Sequence, residues 1–415
     1  MNKENNIAIV GAGAAGFFAA IQCASKMKEQ NIPGKVYLLE SHKAYLRKVK
    51  ISGGGRCNVT HNEFNSTLFC ENYPRGKREL RSPLQTFQAA DMIKWFEERG
   101  VEIVAEDDGR MFPKTNSSDT IISCFRNEAI KLGVEIITSA CVDKINISTE
   151  GLFEVVHRHG TLNAHGVLLA TGSEGRGHSL ASSLGHTITD LAPSLFTFKI
   201  EHPLLKDLSG TTFKEVEIKI QFDNKKKYVS KGPALITHWG LSGPAVLKLS
   251  SLAAREMKAC SYQTKVIINF SPHAKEDDLR IDFLRLKNNE SSLLKNKYPN
   301  YLTKNFWINF IDYLGINQDK KWNELGLKDV NRIAATLFRF ELQINGQSRF
   351  KEEFVECGGV KLSEVSFKTM ESKIQEGLFF AGEVLDIDGV TGGFNFQSAW
   401  TTGYIAGTNL ALMNS

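Results

Sequence analysis

Ile7-Ala8-Ile9-Val10-Gly11-Ala12-Gly13-Ala14-Ala15-Gly16 decides how this chain is read, because it turns one buried strand directly into one helix. Four apolar residues suit a parallel strand covered on both faces. Gly11 permits the tight turn, Gly13 lets backbone approach a diphosphate, and Gly16 lets the helix pack close to the strand. The N–H groups at the helix start, at the positive end of its dipole, form an anion site. Glycine-rich turns are common, so the context matters. Apolar Phe17, Ala20, Ile21 and Ala24 continue a helix, and a second strand, Val36-Tyr37-Leu38-Leu39, ends in Glu40. That acid stands where a ribose 2′-hydroxyl is hydrogen-bonded, and it disfavours a 2′-phosphate. The stretch is read as a dinucleotide site.

At 415 residues the chain exceeds one ordinary core, so two or three domains are expected. Its 42% hydrophobic and 23% charged residues are those of a soluble globular protein. No apolar run reaches the length of a membrane span, and the polar start Met1-Asn2-Lys3-Glu4 leads into the first strand, so a cytoplasmic protein without membrane association is expected. The 7 cysteines are scattered, with no C-x-x-C pair. That argues for a reducing compartment, without a structural zinc or a redox dithiol. No metal site is expected.

The formal charge of +5 is concentrated. Between Ser41 and Arg81 stand Lys43, Arg47, Lys48, Lys50, Arg56, Arg75, Lys77, Arg78 and Arg81 against Glu63, Glu71 and Glu79, nine cations against three anions. Two readings remain open for this basic segment, residues 43–81. It suits a polyanionic substrate or partner, and equally it neutralises the cofactor's own diphosphate and decorates a solvated face.

Three consecutive glycines in Ile51-Ser52-Gly53-Gly54-Gly55-Arg56-Cys57-Asn58 exclude a regular helix or strand interior. The stretch Lys48–Thr60 is read as a loop whose backbone approaches a flat ligand. Residues 62–82 lack apolar periodicity and read as a further loop over the site. Phe87–Arg99 reads as a helix, Val101–Phe112 as a β-ribbon, and Ser118 or Asp119 caps a helix ending at Gly133. The strand Val167-Leu168-Leu169 ends in Ala170-Thr171-Gly172, a second backbone approach to the cofactor. After Pro193 the pattern turns to strands, then to amphipathic lysine-rich helices between Ala274 and Thr336, then back to β at Phe338–Ile344. Gly377-Leu378-Phe379-Phe380-Ala381-Gly382-Glu383 returns to a buried strand ending in an acid that can accept from a sugar hydroxyl. Gly392-Gly393-Phe394-Asn395 then opens a last helix, in which Ala399, Gly403, Ala406 and Gly407 allow close packing. No second strand-helix glycine fingerprint of the first kind occurs.

These elements together resemble the flavoproteins with a glutathione-reductase-like FAD fold. More narrowly, Ile51–Asn58, Thr237-His238-Trp239-Gly240-Leu241-Ser242-Gly243-Pro244 and Phe380-Ala381-Gly382-Glu383-Val384-Leu385-Asp386-Ile387-Asp388-Gly389 are similar to the BaiN/RdsA (aminoacetone-oxidase-like) family of bacterial FAD-dependent oxidoreductases. The resemblance implies an α/β chain: a Rossmann-like (GR2-type) FAD-binding domain at 1–192 and 358–415, interrupted by an inserted β-barrel domain at 193–273 and 337–357 that carries a helical subdomain at 274–336. One departure is Ser173, where relatives carry a second glycine. The expected FAD contacts are Gly11, Gly13, Ala14, Ala15, Gly16, Glu40, Ser41, Lys48, Gly54, Gly55, Arg56, Cys57, Asn58, Val142, Thr171, Gly172, Gly382, Glu383, Gly393, Phe394 and Asn395.

The activities implied differ. The first expectation is a reductase with NAD(P)H as a transient donor, acting on an electron-poor C=C, with uridine in large-subunit ribosomal RNA ahead of a small molecule. The second is an amine or aminoacetone-type oxidase. The third is a non-catalytic flavin-containing RNA-binding protein. Cys57 is either a proton donor or a packing residue near the flavin loop, His238 either a substrate contact or a structural histidine, and Arg56 an anchor for cofactor or substrate.

Overall fold

The computed structural model describes residues 5–273, 275–348 and 355–413. The first four residues, the boundary residue Ala274, residues 349–354 of the expected second β segment and the last two residues lie outside them. The chain divides into two compact units, Met1–Ala192 with Lys351–Ser415, and Pro193–Phe350.

The first unit is built on a seven-stranded sheet. Its parallel part runs Leu378–Phe380 (β5), Gly166–Leu169 (β4), Ile7–Val10 (β1), Val36–Leu39 (β2), Glu135–Ile137 (β3), with two short antiparallel strands, Val365–Ser366 and Glu371–Ser372, beyond β5. β1 is central and wholly buried, in register with β4 through Ile7 and Gly166 and with β2 through Ile7 and Val36. Because the order reverses on either side of β1, a crevice opens at its carboxyl end, which is where this architecture takes ligands.

Helix α1 (Ala14–Glu29) follows β1 at once, and α7 (Phe394–Ala411) lies along it. The small residues of α7 explain the closeness. A Cβ at Gly403 would stand 2.6 Å from the Ala15 carbonyl oxygen, and one at Gly407 2.3 Å from that of Ala19.

Three stretches differ from the expectation. The loop before the glycines begins as a helix, α2 (Arg47–Gly55), which breaks where Ser52 turns extended and Gly53 and Gly54 turn left-handed. Residues 62–82 hold one short helix, α3 (Ser66–Cys70), and the start of a second, α4 (Arg81–Thr86), of five and six residues, too short to show a period in sequence. Asn65 caps α3, accepting from the Thr67 and Leu68 N–H groups at 2.9 and 3.3 Å. The cap of α5 (Ser118–Lys131) is Ser117, not Ser118 or Asp119: Ser117 is extended and its hydroxyl accepts the Asp119 N–H at 3.3 Å, while Ser118 and Asp119 already lie in the first turn.

The second unit has its own core around a seven-stranded antiparallel sheet. Its edge strands, Phe340–Ile344 and Gly346–Ser348, are consecutive in the chain, with Asn345 alone between them, so the sheet is curled. No pairing among the described residues joins the two edges. In the described residues the expected β-barrel takes the form of a curled seven-stranded sheet. The helices Glu276–Asn289, Lys304–Tyr313 and Leu327–Phe338 share this core: Phe283, Trp307 and Trp322 stack on one another, while Phe306 meets Phe270 and Phe213 of the sheet side. Among the described residues no helix is long and apolar enough to cross a membrane.

Candidate functional site

The carboxyl ends of β1, β2, β4 and β5 bring the glycine turn, Glu40, Gly172 and Glu383 to one edge of the first unit. At the turn, Gly11 is left-handed (φ +104°), and a Cβ there would strike the Ala170 carbonyl oxygen at 2.5 Å. A Cβ on Gly16 would stand 1.9 Å from the Gly11 carbonyl oxygen. Gly13 is different: it has an ordinary extended backbone, and a Cβ there would meet nothing within 4 Å. No side chain caps α1 and its first turn carries no acid, so Ala14, Ala15 and Gly16 present N–H groups beside that open space.

Glu40 is nearly buried and reaches back to this turn. One carboxylate oxygen accepts the Ala12 N–H at 3.0 Å, and the other accepts the His42 N–H at 2.9 Å and the Ser41 hydroxyl at 3.2 Å. The carboxylate is thereby fixed in orientation at the end of β2, with Ser41 exposed next to it.

Across the crevice, Lys48 and Glu383 pair at 2.7 Å, and a Cβ on Gly172 would have these two groups as its nearest neighbours, at 4.0 and 3.9 Å. The Glu383 carboxylate raises the Lys48 ammonium above its ordinary value, so the lysine stays charged. Thr171 turns inward instead: its hydroxyl is buried against Gly177 at the start of Gly175–Ser183 (α6). Val142 is buried at the start of a separate antiparallel strand and offers its carbonyl to Arg176 at 3.5 Å. Gly382 packs on Ala15.

In the glycine loop, a Cβ on Gly54 or Gly55 would meet nothing within 4 Å, whereas Gly53 sits against the Phe112 ring. The neighbouring side chains hold the loop rather than project from it. Arg56 lies 3.9 Å over the Phe112 ring and donates to Glu106 at 2.6 Å. Cys57 is fully buried, and burial pushes its thiol up to about 12. The Asn58 amide, in the orientation its neighbours require, accepts from the Gly393 N–H at 2.9 Å and donates to the Thr60 carbonyl at 3.0 Å. At the start of α7, Phe394 is buried and stacked on His61, and Asn395 binds both the N–H and the carbonyl of Gly389, at 2.7 and 2.9 Å. His238 lies in the second unit, exposed, on the turn between Lys227–Thr237 and Gly240–Ser242, with no hydrogen bond to a described residue.

Much of the basic segment is ion-paired, at the surface except for Arg75. Lys48, Lys50, Arg56, Arg75 and Lys77 pair with Glu383, Asp119, Glu106, Asp388 and Glu71. Among the described residues, Lys43, Arg47, Arg78 and Arg81 remain without a carboxylate partner. Sequence also missed the buried chain from the Thr60 hydroxyl to Gln397, Thr401 and the Phe87 carbonyl, which ties α7 to the glycine loop. Its partners lie more than 300 positions apart, so no local pattern announces it.

Unfilled space at Gly13, Gly54 and Gly55, uncapped N–H groups at α1 and an oriented carboxylate at Glu40 fit the diphosphate and ribose of FAD. Fold and site define the class: an FAD-dependent oxidoreductase with a Rossmann-type domain. The chain belongs to the HI0933-like protein Rossmann domain family, whose model matches residues 5–409. It is 27% identical over 414 residues to the 3-dehydro-bile acid delta(4,6)-reductase of Clostridium scindens, covering 97% of this chain and 98% of that one. It is 28% identical over 420 residues to the ribosomal RNA dihydrouridine synthase of Escherichia coli, covering 98% of each. Among solved structures, a 3-ketosteroid delta1-dehydrogenase from Sterolibacterium denitrificans matches with a TM-score of 0.51 at 11% identity, over 98% of this chain and 100% of that one, a likeness of fold.

Proposed function

We propose that this protein reduces an electron-poor C=C, with uridine in large-subunit ribosomal RNA as the substrate and NAD(P)H as the transient donor. The observation that carries the flavin part of the reading is the open space at Gly13, Gly54 and Gly55. Both named relatives, matched at full length, support C=C reduction, and the one named a ribosomal RNA dihydrouridine synthase supports the substrate; dihydrouridine differs from uridine by two hydrogens across one C=C. Bound FAD supplies hydride transfer. The residues of the chain do the rest. Gly13 and the α1 N-terminus take the diphosphate, and Glu40 orients a ribose hydroxyl. Lys48 balances Glu383 beside the sugar chain, and Gly54 and Gly55 leave backbone open to a flat ring.

Reduction of an alkene also needs a proton at the second carbon. Cys57 is fully buried, so we assign it to packing; His238 is kept as a candidate for binding or protonating substrate, and unchanged kinetics in H238A would remove it. The basic segment contributes to RNA attraction chiefly through Lys43, Arg47, Arg78 and Arg81, with the exposed, paired Lys50 and Lys77 adding less and the buried Arg75 nothing. The deciding experiment is the dihydrouridine content of large-subunit ribosomal RNA in parent, deletion and complemented strains. A loss restored by the gene supports the reading. An unchanged content refutes it and favours a small-molecule reductase, the activity the Clostridium scindens relative is named for; peroxide formed in step with amine consumption would instead mark an oxidase. Loss of flavin absorbance on mixing with NADPH or NADH tests the donor.

A further inference from the structure

Arg75 reads in sequence as one more surface cation, and the structure places it elsewhere. Its Nε and one terminal nitrogen engage the two carboxylate oxygens of Asp388 as a fork, with Asp388 at 0% exposure. The backbones of the same two residues form an antiparallel bridge. Around this pair, residues 72–76 run as a strap along the loop that joins β5 to α7. The Val390 N–H donates to the Asn72 carbonyl at 2.9 Å, the Tyr73 hydroxyl donates to the Phe394 carbonyl at 2.7 Å, and Gly76 fits against Ile387 with no room for a Cβ. From the other side Asn58 holds Gly393, and Asn395 closes the loop on Gly389. The loop ends in two left-handed glycines, Gly392 (φ +129°) and Gly393 (φ +95°), which have no side chains to fix themselves.

A buried ion pair adds little net stability over apolar residues of the same volume, because desolvation of both charges opposes their attraction. What a guanidinium–carboxylate fork adds is direction: two parallel hydrogen bonds fix distance and rotation together. We propose that Arg75 is a positioning residue for the cofactor, acting through Asp388 to hold the Asp386–Gly393 loop and the start of α7 in the geometry that accepts FAD. Arg75 itself touches no cofactor in this scheme. The inference rests on the FAD assignment, not on the choice of substrate.

The test compares wild type, R75K and the apolar pair R75M/D388L, prepared as apoprotein and titrated with FAD by fluorescence quenching. Apoprotein melting and the visible spectrum and midpoint potential of the bound flavin are measured alongside. The expected result is R75M/D388L apoprotein melting near wild type while its FAD dissociation constant rises at least tenfold and its flavin spectrum shifts. R75K, which keeps the charge and loses the fork, falls between. FAD affinity and spectrum within twofold of wild type in R75M/D388L overturn the proposal. A parallel loss of apoprotein stability in that pair also overturns it, in favour of a purely structural role. Should the pair fail to fold, R75K decides: wild-type affinity, spectrum and potential refute positioning, and an altered spectrum or potential supports it. Failure of wild type itself to bind FAD removes the cofactor assignment instead.

Discussion

Alanine at Gly13 separates the two duties of the glycine turn. Gly13 has a backbone any residue adopts (φ −81°, ψ −165°), and its added methyl would meet no atom within 4 Å. G13A apoprotein is therefore expected to be as stable as wild type, or more so by about 0.4–1 kcal/mol from the stiffer unfolded chain. With FAD held as proposed, the methyl would instead occupy the space the diphosphate needs. Pushing the diphosphate off one or two charge-assisted hydrogen bonds at α1, each about 1.5–3 kcal/mol, costs roughly 3 kcal/mol, or about a hundredfold in affinity. G16A makes the opposite change. Its methyl would lie 1.9 Å from the Gly11 carbonyl oxygen, so helix and strand must separate, at a cost of about 1–3 kcal/mol or more. The assay is apoprotein melting with and without FAD, with a fluorescence titration. In wild type, FAD at about a hundred times its dissociation constant adds about 2.7 kcal/mol; in G13A that gain should almost vanish while the apoprotein melts normally. G13A binding FAD within threefold of wild type would refute the reasoning, as would G16A melting like wild type.

The remaining expectations concern single side chains. Cys57 should resist alkylation in native protein at pH 8 and react only on unfolding, because burial holds its thiol protonated up to about 12; C57A should retain turnover, and a dead C57A with intact FAD binding would restore it as a catalytic residue. K48M leaves Glu383 without the cation that pairs with it at 2.7 Å; next to an anionic cofactor this should weaken FAD binding about tenfold, less so at high salt, and an unchanged, salt-independent affinity would count against the assignment. His186 is buried between Ser372 and Glu364, and desolvation outweighs the carboxylate to hold its imidazole below the ordinary 6.5. The unfolded chain then takes up a proton that the folded one resists, so stability is full above about pH 6.5 and falls as pH drops below it. Urea midpoints against pH should show that slope, and H186Q should reduce it, the remainder coming from His157, His178 and His202, whose imidazoles burial also lowers.

The sequence by itself determined the dinucleotide site and the class of fold. Strand, turn and helix are local, Gly16 answers the carbonyl of Gly11 in the same turn, and Glu40 closes the unit 24 positions after Gly16, whereas Gly13 stands in open space and the contact at Gly11 comes from Ala170, far along the chain. The small residues of the last helix likewise announced a backbone-close neighbour, which α1 proved to be. Only the tertiary structure decided which charges are free and which side chains face a ligand. Lys48 with Glu383 and Arg75 with Asp388 pair across more than 300 positions, and composition counts a cation the same way whether it is solvated or buried in a fork. Cys57, Phe394 and Asn395 sit in motifs that run beside the site, yet their side chains turn inward, because a loop that must offer backbone to a ligand is held in place by its own side chains. The second unit shows the same limit: alternation predicts strands, but whether seven of them close or stay open depends on pairing between edges, which no local pattern encodes.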